Sequence, residues 1–101
     1  MSSLIDLQKK VAEQTKRLAH ADDPHIVLLY LVEEVGEAIR AYLKEKGLKE
    51  QNNRVTETFK EELGDVFLLL LRLAESTGTD LETVLDRTMD KLDRSKEEHE
   101  M

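Results

Sequence analysis

Two stretches of this 101-residue chain set acids inside its most apolar segments: LVEEVGEAI, around Glu33, Glu34 and Glu37, and KEELGDVFLLLL, around Glu62 and Asp65. A fold of this chain must bury the apolar residues without stranding the carboxylates, because an uncompensated buried ion is destabilising by several kcal/mol. On a helix turning about 100° per residue, Leu28, Leu31, Val35, Ala38, Ile39 and Tyr42 form one core stripe, with Glu34 at its edge and Glu37 beside it. Glu33 and Arg40 face further out. In the second stretch Phe59, Leu63, Phe67, Leu70 and Ala74 form the core stripe, while Glu62 and Asp65 head a second face continued by Leu69 and Leu73. That second face is apolar, so both acids are expected to be partly buried.

Punctuation divides the chain into four helices, and no stretch alternates as a half-buried strand does. The first is predicted over Ser3 to Ala19, with Leu4, Leu7, Val11 and Leu18 on one stripe. Asp23 is expected to cap the second, with Pro24 at its first position where a missing N–H is harmless, and Gly47 to stop it after about Lys46. GLKEQNNR reads as a surface loop. The third helix is predicted over Val55 to Ser76, ending at Gly78, and the T-x-x-E box from Thr79 to Glu82 opens a fourth that runs to about Glu97. The expected fold is a single all-α domain over residues 1–101, a four-helix, bundle-like arrangement. Val66 to Leu71 is apolar around nearly the whole helix, more than one neighbouring helix can cover, so a homodimer is predicted.

Several function classes are excluded by composition. A formal net charge of -7 argues against nucleic acid or an anionic membrane as partner, since both are bound through clustered Lys and Arg. Without cysteine there is no disulfide, thiolate nucleophile or zinc–thiolate site. The N-terminus, MSSLIDLQKK, lacks the apolar run of a signal peptide, and the longest apolar run, Ile26 to Val32, is far too short to span a bilayer. A cytoplasmic location is expected.

Residues three apart project from one side of a helix, so each acidic helix offers a pair of carboxylates aimed the same way. Two facing pairs crowded in a partly desolvated cleft require a cation. All-oxygen ligation selects magnesium, manganese or calcium over zinc or copper, and magnesium, for which manganese can substitute, characteristically keeps waters and shares itself with substrate phosphates. A ferritin-like di-iron site would need Glu-x-x-His pairs, and His20, His25 and His99 form none. Helix four carries Arg87, Lys91 and Arg94 on one flank, a candidate phosphate grip, although ion pairs with Asp86, Asp90 and Asp93 explain Arg87 and Arg94 equally well. Tyr30 lies near Glu34 and Glu37 by helical phase, where stacking on a base and packing on another subunit are equally open. No base-binding residue is assigned.

Glu33-Glu34-Val35-Gly36-Glu37 followed by Glu62-Leu63-Gly64-Asp65 resembles the EExxE and ExxD signature of MazG-like nucleotide pyrophosphohydrolases, and the resemblance runs from Ile26 to Arg94. It implies an all-α fold assembled as a homodimer or dimer of dimers, and magnesium-dependent hydrolysis of a nucleoside triphosphate to the monophosphate and pyrophosphate, with a canonical or a non-canonical nucleotide as substrate and a house-cleaning role. It implies Glu34, Glu37, Glu62 and Asp65 as metal ligands, and supports Lys91 most among the phosphate-binding candidates. Ser95 departs from the Asn often found four residues after that Lys. Glu33 and Glu34 are the catalytic candidates, Glu33 as holder of a second metal or orienter of the attacking water, with a solvated surface Glu as its plainer reading. The competing hypothesis is a non-enzymatic helical interaction or regulatory module whose acids only solvate helix faces.

Overall fold

Each helix begins where a side chain can satisfy its first backbone N–H groups. In this computed structural model, which describes residues 3–48 and 57–100 (backbone only over 97–100), the order is α1 (Leu4–Arg17), α2 (Pro24–Glu45), α3 (Phe59–Ser76) and α4 (Leu81–Glu100), with no strand among the described residues. The Ser3 hydroxyl accepts from the Asp6 N–H at 3.2 Å, and Asp23 Oδ1 accepts from the His25 N–H at 2.9 Å beside Pro24 at the first position of α2. Gly47 and Gly78 adopt φ of 68° and 66° just past α2 and α3, the left-handed region glycine enters without a Cβ clash.

Two boundaries differ from the sequence expectation. α3 starts at Phe59 because Thr58 and Glu61 form a capping box: the Thr58 hydroxyl accepts from the Glu61 N–H, and Glu61 Oε1 accepts from the Thr58 N–H, each at 3.2 Å. The apolar pattern alone extends the helix to Val55, which lies outside the described residues. α4 is capped by Asp80 rather than Thr79. Asp80 Oδ1 accepts from the N–H groups of Glu82 (3.1 Å) and Thr83 (3.3 Å), and Thr79 instead gives its backbone carbonyl to Gln8. Its backbone remains helical to Glu100, beyond the predicted end.

The α2–α3 pair is an antiparallel hairpin. At the closed end Glu45 Oε1 accepts from the Phe59 N–H at 3.0 Å, and the rings of Tyr42 and Phe59 meet edge to face at 5.2 Å. At the far end Arg72 donates to the carbonyl of Ala21, just ahead of α2. α3 lies between α2 and α1, and α4 packs chiefly on α1. Gln8, almost fully buried, ties one end together: its amide donates to Glu75 Oε1 (3.0 Å) and the Thr79 carbonyl (2.9 Å), and its own oxygen accepts from the Leu81 N–H (2.9 Å).

The buried apolar residues are Val27, Ala38, Ala41, Leu69, Leu71 and Ala74, so α2 turns its Val27–Leu31–Glu34–Ala38–Ala41 side to α3. The core stripes expected from the sequence are rotated outward. Leu28, Val35, Ile39 and Tyr42 of α2 are exposed, as are Leu63, Phe67 and Leu70 of α3, and only Ala38 and Ala74 of those stripes are buried. The radius of gyration, 16.8 Å, exceeds the roughly 13 Å of a compact domain of this length, as expected when helices leave apolar sides without neighbours in their own chain.

Candidate metal centre

The hairpin brings the two acidic motifs face to face. Glu34 from the middle of α2 meets Glu62 and Asp65 from the first two turns of α3, and one carboxylate oxygen from each lies within 4.8 Å of the others. Small side chains at Ala38 and Ala41 let the helices approach on this side. Glu62 is 3% exposed; Glu34 and Asp65 are half-buried. The second face of α3, named from the sequence as carrying both acids, is thus the one turned to α2.

Glu34 Oε2 and Glu62 Oε2 are buried and have no hydrogen-bond partner. Two ionised carboxylates cannot donate to each other, so the pair needs a proton or a cation between them. Burial raises the Glu62 pKa from 4.5 to about 8, reinforced by the adjoining Glu34 carboxyl and the charges of Glu37, Glu34 and Glu57. Burial also raises Glu34, with the charges of Glu37 and Asp65 adding to the effect. The donor set is all carboxylate, which fits a hard divalent cation.

The other expected residues are distributed as follows. Glu37 stands outside the tight trio, half-buried one turn along α2, with its charge felt by both Glu34 and Glu62. Glu33 is exposed and lines a crevice of about 270 Å³ together with Tyr30, Glu34, Asp65, Leu69 and Arg72. Tyr30 therefore lies beside the acids, as its helical phase implied. Arg87, Lys91 and Arg94 are all exposed on α4, and Arg94 pairs with Asp90 at 3.0 Å, four residues away, the ion-pair arrangement weighed for it above. His25 sits against Asp23 at 3.1 Å, and the side chain of His99 lies outside the described residues.

Two residues escaped the sequence reading. Glu57, just before the α3 cap, lies beside Asp65, whose carboxyl is the first cause of its raised pKa. Arg72 is the single cation within α3 beyond Lys60, in LLLLRLAES, and that isolation in an apolar run was the available signal.

Comparisons with known proteins bear on the family and the fold. The profile of the MazG nucleotide pyrophosphohydrolase domain matches residues 22–99, which include both acidic motifs. No curated protein matches. Among solved structures, the crystal structure of YpjD from Bacillus subtilis, described as a candidate pyrophosphatase, is similar with a TM-score of 0.77 and 27% identity, covering 91% of this chain and 94% of that one. With the domain profile spanning three of its four helices and the paired carboxylates facing one another across α2 and α3, the chain belongs to the MazG nucleotide pyrophosphohydrolase family.

Proposed function

We propose that the chain is a magnesium-dependent nucleoside triphosphate pyrophosphohydrolase, releasing the nucleoside monophosphate and pyrophosphate, with Glu34, Glu37, Glu62 and Asp65 as the metal ligands. One observation carries the reading: two buried carboxylate oxygens, from Glu34 and Glu62, lack any partner, beside a third acid within ligand distance. A bound magnesium ion would neutralise the cluster, polarise phosphoryl oxygens and lower the pKa of a coordinated water. Family membership supports nucleotide pyrophosphohydrolase chemistry in general, and the acidic cluster supports metal dependence.

Glu34 acts as ligand and, with Glu33 on the rim of the crevice, as the catalytic pair; Glu33 is free to orient a water because it is not held in the trio. Lys91, with Arg87 and Arg94, supplies positive charge to the phosphates beyond the metal. The outward apolar faces of α2 and α3 support self-association, as a homodimer or a dimer of dimers. No helix among the described residues is long and apolar enough to cross a membrane, and a cytoplasmic, house-cleaning role accompanies this reading. A non-enzymatic interaction module would account for the apolar faces and give no role to three acids converging within ligand distance.

The test is pyrophosphate release across a panel of canonical and damaged nucleoside triphosphates, repeated with Glu37→Gln and Asp65→Asn. The reading requires magnesium-dependent release by the wild type and its loss in both variants. Equal release by all three proteins refutes the assigned site.

A further inference from the structure

The crevice at the acids is shallow and open to solvent. At about 270 Å³ it lies at the lower edge of the roughly 300–1,000 Å³ of sites that enclose a small organic ligand, so a nucleotide with its phosphates at the acids extends beyond it. It has room for phosphates, and the neighbouring space is where the rest of a nucleotide can be enclosed. A second cavity, about 520 Å³, opens between α1, the α1–α2 connection and the C-terminal half of α3, and Arg72 lines both spaces.

The larger cavity has a different chemistry. Lys16 and Arg72 are matched by Asp22 and Glu75, so its formal charges cancel, which suits an uncharged polar group better than a polyphosphate. Its two hydroxyls already donate to helix carbonyls, Thr15 to Val11 at 2.8 Å and Ser76 to Leu73 at 2.9 Å, leaving them as acceptors for a ligand that brings its own donors. Arg72 is fixed by its bond to the Ala21 carbonyl, while its Nε–H is buried and has no partner. A planar guanidinium with a committed corner and an unused buried donor is suited to hold a ligand that passes from one space to the other.

We infer that the cavity between α1 and α3 holds the nucleoside of the triphosphate, and that Arg72, which borders both this cavity and the acidic crevice, binds the substrate between them. The inference rests on the proposed hydrolase reading for its substrate class. The His20 imidazole is the one ring in the described lining, which contains no Phe or Tyr, so the nucleoside is held by hydrogen bonds from its sugar hydroxyls and base donors rather than between a stacked pair of rings.

The test uses the full chain labelled with nitrogen-15 in EDTA, titrated to millimolar AMP, GMP, CMP, UMP and dTMP in turn. The expected result is movement of the Thr15, Lys16 and Ser76 amides and the Arg72 Nε–H resonance with at least one nucleotide. Shifts confined to other surfaces, or none with any of the five, overturn the proposal. Thr15→Trp and Ala12→Phe, which fill the cavity, should raise KM for nucleoside triphosphates at least tenfold while retaining the helical spectrum; an unchanged KM in a folded variant also overturns it. Should either variant unfold, the titration of the wild type still decides. Shifts at the cavity with no pyrophosphate release from any triphosphate would instead refute the hydrolase reading and keep the nucleotide site.

Discussion

The two sides of the α2–α3 hairpin invert the usual arrangement of a soluble helix pair. Inside, Glu34 and the almost fully buried Glu62 face one another among small and aliphatic side chains. Outside, Val32 is 70% exposed and Ile39 55%, with Leu63, Phe67 and Leu70 open on the neighbouring helix. A helix that serves only to hold a core together does the opposite, turning its acids to water and its aliphatic residues inward. The contrast separates two features: the inner side gathers carboxylates that could hold a cation, and the outer side leaves an apolar surface open. Each can be disturbed without touching the other.

The largest effect is expected on the inside. Glu62→Gln keeps shape and removes a ligand charge, and pyrophosphate release should fall on the order of a hundredfold or more, since even residues that only support metal ligands typically contribute 10–100-fold. The same substitution should stabilise the metal-free protein at pH 8. The folded-state pKa of Glu62, about 8, lies above its ordinary 4.5, so the folded chain holds a proton that the unfolded chain releases. That stabilisation is complete below pH 4.5 and is lost as pH rises towards 8, a change of several kcal/mol that Gln, having no proton to lose, should abolish. Denaturant midpoints of both proteins across this range in EDTA would check it; parallel pH profiles would remove the buried carboxyl from the account.

Next in size is the metal itself. Magnesium at about 100 times its Kd should add roughly 2.7 kcal/mol to the stability of the wild type, visible as a rise in Tm of about ten degrees or more for a chain of this length. Asp65→Asn should show a much smaller rise. A wild type whose melting is indifferent to magnesium would leave the inner side without its ion.

On the outside, Val32→Glu combined with Ile39→Glu should lower the molecular mass seen by light scattering while leaving the magnesium response of the remaining folded chain intact. An unchanged mass would mean that these residues face solvent in the assembled protein. The smallest effect belongs to neither side: Thr58→Ala removes one half of the α3 capping box and should cost about 1 kcal/mol in denaturant unfolding, with no change in oligomeric mass.

The helices, the acids on a common face of α3, and the proximity of Tyr30 to them were legible in the sequence, because each follows from spacing along one helix. Which stripe of α2 turns inward was not. Apolar count favoured Leu28, Val35, Ile39 and Tyr42, but packing against α3 selected the side with Ala38, Ala41 and Glu34, where small residues permit close approach and facing carboxylates can share an ion. Hydrophobic periodicity reports every buried face of an assembled protein together, so it cannot tell a face covered by the same chain from one left open by it. Arg72 was not legible for a related reason: it lines two spaces formed by separate helices, and no local pattern encodes that.

The Gln8 amide has a consequence for how the molecule opens. One side chain from the first helix occupies the corner where α3 gives way to α4, satisfying the Thr79 carbonyl and the Leu81 N–H at once. Undocking the first helix would strand both groups, so its release and the loosening of that corner form a single cooperative event. In hydrogen exchange the amide of Leu81 should therefore follow the protection of residues more than seventy positions earlier in the chain rather than that of the α4 turns beside it.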